Sequence, residues 1–211
     1  MNEFKYNIGY LDEEELWQAQ AIKRFGKEFN IKLIEVPIAL SGIWPFIVDH
    51  ELDALIVDFR LFESGKVTYD GAQVVSEIIK HNEHFPMFIM TSYENNAVEQ
   101  SENVLIIRGK DVLTNDELFE KFTLVLKTSI SSYRKKIEKA KTTLLEIEQK
   151  ILAGEETTPS DDVVRFRAEL FLSEIDKDNA MPINFNSMGH SQQMKEMLDM
   201  TKNLVEKLKK K

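Results

Sequence analysis

Cysteine is absent from the sequence, which excludes a disulfide framework, thiolate metal ligation and a cysteine nucleophile together. Proline and glycine are scarce, at 5 and 8 residues of 211, so a low-complexity or disordered chain is excluded as well. No apolar run approaches the ~20 residues that cross a bilayer, and the opening MNEFKYNIGYLDEEE holds no apolar stretch of signal-peptide length. The expectation is a cytoplasmic protein with no membrane partner. An excess of positive charge is also missing. The formal net charge is −9, whereas nucleic-acid binding needs a basic face that displaces phosphate counterions, so no nucleic-acid partner is expected. The dense basic cluster Lys207, Lys209, Lys210 and Lys211 reads as a solvated helix end, well placed against the helix dipole. There is no Gly-rich phosphate loop and no GxSxG, and His50, His81, His84 and His190 fall in no metal-ligand spacing such as HExxH. No enzymatic output module is expected.

What is present is a core. The chain is 43% hydrophobic with 13 Phe, and its length suits one domain of about 100 to 150 residues plus an appendage. The first part alternates short apolar runs with amphipathic stretches, the pattern of βαβ units feeding a parallel sheet. Strands are expected at Tyr6 to Leu11, Ile31 to Pro37, Ala54 to Val57 with Asp58 at its end, Met87 to Thr91, and Val104 to Ile107. The runs at 54, 87 and 104 are continuously apolar, as they are when helices cover both faces of a sheet. Helices are expected at Glu13 to Phe25, near Ile43 to Asp49 and at Ala72 to His81, with a turn near Asn95 to Glu99.

Thr114 and Glu117 form a capping-box pattern that starts a helix at about Asn115. Phe119, Leu126, Ile130, Tyr133, Ile137, Ala140, Leu144, Ile147 and Ile151 then follow a heptad repeat, with Thr123 in the one gap, until Gly154 ends it. A seam of that length needs a partner helix, either within the chain or in a second copy, and homodimerisation through a coiled coil is slightly favoured. Ser160 reads as the N-cap of an amphipathic helix, and a last helix places Met194, Met197, Thr201, Leu204 and Leu208 on one stripe. The expected organisation is an α/β domain over 1–130 and a helical extension over 131–211. The long helix covers about 115–153, with helices at about 161–175 and 191–208.

Doubly wound sheets bind ligands beyond the carboxyl ends of their strands, and the polar residues of the first half fall there. The first strand ends in Asp12 and Glu13, the third in Asp58, the fourth in Thr91 and Ser92, and the fifth reaches Lys110. With these residues in YLDEE, LIVDF, MFIMTSY and IIRGK, and with Asp70-Gly71 opening the third helix, the first 130 residues or so resemble the receiver domains of response regulators. The resemblance implies a flavodoxin-like fold with a five-stranded parallel sheet. It also implies Asp58 as phosphoacceptor, assisted by Thr91 and Lys110, and Mg²⁺ held by Asp12, Glu13, Asp58 and the backbone carbonyl of Arg60. A carboxylate attacking a phosphohistidine meets charge repulsion that a cation relieves, so catalysis is positioning and neutralisation. The implied protein is no free-standing enzyme. It is a phosphoacceptor that assists its own phosphoryl transfer and dephosphorylation, partnered by a histidine kinase or phosphotransfer protein.

The chain departs from the family pattern in four places. Glu13 stands where an Asp is usual, Asp111 replaces the proline after the lysine, Ile107 holds the place of an aromatic switch, and the loop LFESGKVTYDG after Asp58 is long. Arg60 and Tyr93 hold the positions that shape access of hydrolytic water. Three functions fit: a two-component switch acting on a protein effector through its helices, a phosphate sink or relay sharing a kinase with another receiver, and a degenerate receiver serving as a coiled-coil adaptor.

Overall fold

The chain's computed structural model describes residues 5–92 and 106–175. The expected turn near Asn95 to Glu99, Tyr93, Val104 and the helix at about 191–208 lie outside the described residues. Five strands form one sheet: β1 (Asn7–Leu11), β2 (Asn30–Ile34), β3 (Ala54–Asp58), β4 (Met87–Thr91) and β5 (Ile107–Gly109). All pairings are parallel, in the order β2-β1-β3-β4-β5, which is the flavodoxin-like doubly wound order. The helices are α1 (Glu15–Phe25), α2 (Ile43–Asp49), α3 (Gly71–His81), α4 (Asp116–Leu152) and α5 (Pro159–Ile175).

Strand alternation sorts the core into two layers. Leu55 and Val57 of β3 join Leu11, Ile89, Val74, Ile78, Ile43 and Ile47 on the side of α2 and α3. Ala54 and Ile56 join Ile8, Tyr10, Phe88 and Met90 on the side of α1 and α4, which contribute Ala21, Phe25, Phe122, Leu126 and Ile130. Both faces of β3 are therefore dry, which explains its uninterrupted apolar run.

Several boundaries differ from expectation for local reasons. β2 stops at Ile34, short of Pro37, because its neighbour β1 ends at Leu11, the partner of Ile34. β5 runs on to Gly109, since Ile107, Arg108 and Gly109 pair with Ile89, Met90 and Thr91 regardless of the Arg side chain. The capping box at Thr114 does not form. The Thr114 hydroxyl donates to the Asp111 carbonyl at 3.1 Å, and Asn115 caps α4 by accepting from the Leu118 N–H at 3.1 Å. Ser160 is likewise not a cap. Thr158 is, its hydroxyl accepting from the Asp161 N–H while Asp161 accepts from the Thr158 N–H at 2.9 Å, with Pro159 at the first helical position.

The chain divides into two compact units, the first holding residues 1–136 together with the end of α5 from Glu174 and the second beginning at Ile137 within α4. In the first unit, the opening part of the heptad seam is sheet-covering core. Leu126 and Ile130 are buried in the α1 layer, and Tyr133 packs against the α3 layer with its hydroxyl accepting from Asn82 Nδ2 at 2.7 Å. Nearby, Asp53 accepts from the Asn7 N–H at 2.8 Å and from Arg134 Nε at 2.9 Å, tying α4 to the amino ends of β1 and β3. In the second unit Ala140 and Ile147 are buried, Lys150 pairs with Asp161 at 3.0 Å, and Leu144, Ile151 and Leu152 line a groove with Arg165 and Glu169.

Candidate functional site

The reversal of strand order between β1 and β3 opens a crevice at their carboxyl ends, and the acids stand there. Asp12 follows β1 and is fully buried, and Asp58 closes β3 at 4% exposure. Lys110 follows β5 and is also buried. Its ammonium lies 2.9 Å from Asp58 Oδ1, 3.0 Å from Asp12 Oδ2 and 3.6 Å from Glu14 Oε1. One cation thus bridges two buried carboxylates, an arrangement that holds only because each charge is compensated.

Backbone and side-chain donors fix the acids further. Asp58 Oδ2 accepts from the Arg60 N–H at 2.8 Å. Asp12 Oδ1 accepts from the Glu14 N–H at 3.0 Å, and its Oδ2 accepts from the Tyr10 hydroxyl at 3.0 Å. The Asp12 carbonyl accepts from Gln18 Nε2 at 2.6 Å. Burial raises the Asp58 carboxyl above its ordinary value against the pull of Lys110. Burial disfavours the Lys110 ammonium, but Asp58 and Asp12 outweigh it and its pKa stands above the ordinary value. Tyr10 is pushed far up, first by burial and then by Asp12, so its phenol stays a donor.

Glu13 is half-buried, and its carboxyl is pushed up to about 7 by burial and by the neighbouring Asp58 and Asp12. Its Oε2 is buried without a hydrogen-bond partner, and carboxylate oxygens of Asp12, Glu13 and Asp58 lie within 4.8 Å of one another. Asp12, Glu13, Glu14 and Asp58 around one ammonium leave negative charge in excess, and an orphaned carboxylate oxygen there is the donor a hard divalent cation takes. The residues fit Mg²⁺. The Arg60 carbonyl accepts from the Glu63 N–H at 3.1 Å, which leaves one of its two lone pairs.

Thr91 ends β4, buried and paired in register with Gly109. With Ser92, Gly109, Lys110, Asp111, Thr114 and Trp17 it lines a cleft of about 340 Å³. Trp17 places its ring 5.1 Å from the Lys110 ammonium. The long loop after Asp58 folds inward, burying Leu61, Val67 and Tyr69, whose hydroxyl donates to the Pro37 carbonyl. It ends at Asp70, which caps α3 with Gln73 in a reciprocal box. Gly71 is obligatory there, because a Cβ would run into the Asp58 carbonyl.

Tyr10, Glu14, Trp17 and Gln18 belong to the site but were not expected in it. Only Tyr10 had a legible signal, since residues two apart on a strand share a face and Asp12 stands two after it.

No family model matches the chain, and no curated protein matches it. Among solved structures, the chain is similar to the RcsB response regulator of Salmonella typhimurium, at 12% sequence identity and a TM-score of 0.42, over 83% of this chain and 93% of that one.

Proposed function

We propose that the chain is a phosphoacceptor of the receiver type, taking a phosphoryl group on Asp58 from a phosphohistidine of a histidine kinase or phosphotransfer protein. The observation that carries this reading is the buried Lys110 ammonium shared by Asp58 and Asp12 at 2.9 and 3.0 Å, beside the orphaned Glu13 oxygen. Asp12, Glu13 and Asp58, with the Arg60 carbonyl, would hold Mg²⁺, which would supply the positive charge that offsets repulsion between the carboxylate and the incoming phosphoryl group.

A carboxylate oxygen of Asp58 attacks phosphorus, the P–N bond to the donor imidazole breaks, and its electron pair stays on that nitrogen. The Asp58 side chain becomes an acyl phosphate. Lys110 turns to a phosphoryl oxygen and the Thr91 hydroxyl donates to another, so the charge is met by donors already in place. Attack of water on phosphorus later releases inorganic phosphate and restores the carboxylate. The output runs through the helices, by contact with a protein effector or pairing with a second copy, which the acidic net charge of −9 favours over DNA.

The test is chemical trapping. After incubation with acetyl phosphate and Mg²⁺, borohydride reduces an acyl phosphate to the alcohol, and peptide mapping should place homoserine at position 58. Homoserine elsewhere, or none, contradicts the assignment.

A further inference from the structure

Tyr10 is a buried phenol with a job that filling the core does not explain. It sits in mid-strand on β1, paired with Leu33 of β2 and Ile56 of β3, and is 1% exposed among Ile8, Phe25, Ile56 and Phe88. A Phe would fill the same space. The hydroxyl instead reaches past the end of the strand to Asp12 Oδ2, at 3.0 Å. That oxygen is the one Lys110 also holds, at 3.0 Å, so two donors converge on one side of the carboxylate while the Glu14 N–H holds the other.

We infer that Tyr10 is a positioning residue for the metal ligand Asp12, fixing the carboxylate so that the Asp12, Glu13 and Asp58 oxygens face one point. This inference rests on the reading of the three acids as a cation site. The physical case is that Asp12 is wholly buried, so no solvent replaces a lost donor. Without the phenol, Lys110 is the only donor left to Oδ2 among the described residues, and the carboxylate is drawn toward the ammonium and away from Glu13. Outer donors of this kind orient metal ligands, and losing one typically weakens metal binding 10- to 100-fold.

The experiment is calorimetric titration of the metal-free full chain with MgCl₂, for wild type and Tyr10→Phe, under identical buffer conditions. The substitution removes one atom and keeps the ring, and circular dichroism checks that both proteins are folded. The expected result is Mg²⁺ binding about 10- to 100-fold weaker in Tyr10→Phe. A purely structural role would leave that affinity unchanged. Wild type and variant binding Mg²⁺ within twofold of each other overturns the role of Tyr10 and leaves the cation site standing. No binding by wild type overturns the cation site and this inference with it.

Discussion

Lys110 Nζ stands 2.9 Å from Asp58 Oδ1, and both side chains are only 4% exposed. The same ammonium meets Asp12 at 3.0 Å, so one side chain compensates two buried acids. Removing one member of a buried ion pair leaves an uncompensated charge and costs roughly 3 to 5 kcal/mol. Lys110→Met is therefore expected to lower unfolding free energy by about 3 kcal/mol at pH 8 without divalent cation. The deficit should shrink as pH falls and the acids protonate, or as Mg²⁺ is added. Urea denaturation at two pH values with and without MgCl₂ reads all three.

Glu13 gives the apo chain a pH dependence of the opposite kind to a salt-bridged acid. Its folded pKa of about 7 lies above the ordinary value of 4.5, so the folded state binds the proton more tightly than the unfolded one. Its contribution is full below about pH 4.5 and is lost as pH rises through about 7. Melting temperatures of wild type should fall relative to Glu13→Gln between pH 5 and 8, and saturating Mg²⁺ should reduce that difference. Parallel curves for the two proteins would contradict the burial of Glu13.

Gly71 closely approaches the backbone of Asp58. A Cβ there meets the Asp58 carbonyl and, behind it, the Phe59 backbone, and neither can yield as a side chain can. Gly71→Ala is expected to destabilise by about 1 to 3 kcal/mol, as overpacking does, and to slow labelling of Asp58 because the strain falls on its own peptide. Thermal melting and the rate of mass gain with acetyl phosphate measure the two effects.

The ion pair of Asp53 with Arg134 anchors α4 at the opposite end of the sheet from the site. Asp53 is buried and also accepts the Asn7 N–H, so Asp53→Ala removes the one carboxylate that both that N–H and the Arg134 guanidinium meet. A loss of about 1.5 to 3 kcal/mol is expected, the range for hydrogen bonds to charged groups. A double-mutant cycle with Arg134→Met should show positive coupling. Labelling of Asp58 in the folded fraction should be unchanged, since the pair is remote from the acids.

The centre of the sheet was legible because β3 and β4 are buried on both faces. β3 and β4 are apolar up to their last residues, Asp58 and Thr91, and their ends were readable to the residue. Edges were not. β2 ends where β1 offers no further partner, and β5 includes Arg108, an identity that hides a strand from any apolar criterion. Helix starts depended on which of several capable side chains captures an N–H. Asn115 and Thr158 won over Thr114 and Ser160, a choice that backbone geometry makes. The acids, Thr91 and Lys110 were readable because each stands at a strand's last residue or just beyond it. Trp17 and Gln18 reach the site from α1, and no spacing within the helix announces that. The heptad seam misled in its first half, since Leu126 and Ile130 meet the sheet and not a partner helix.

The central claim is that Asp58 accepts a phosphoryl group with the help of Mg²⁺, and intact-protein mass spectrometry after incubation with acetyl phosphate tests it most directly. The account predicts a gain of one phosphoryl group in wild type, lost without Mg²⁺ and lost in a folded Asp58→Ala. An unchanged wild-type mass, under a small-molecule donor and a phosphorylated kinase alike, would contradict it.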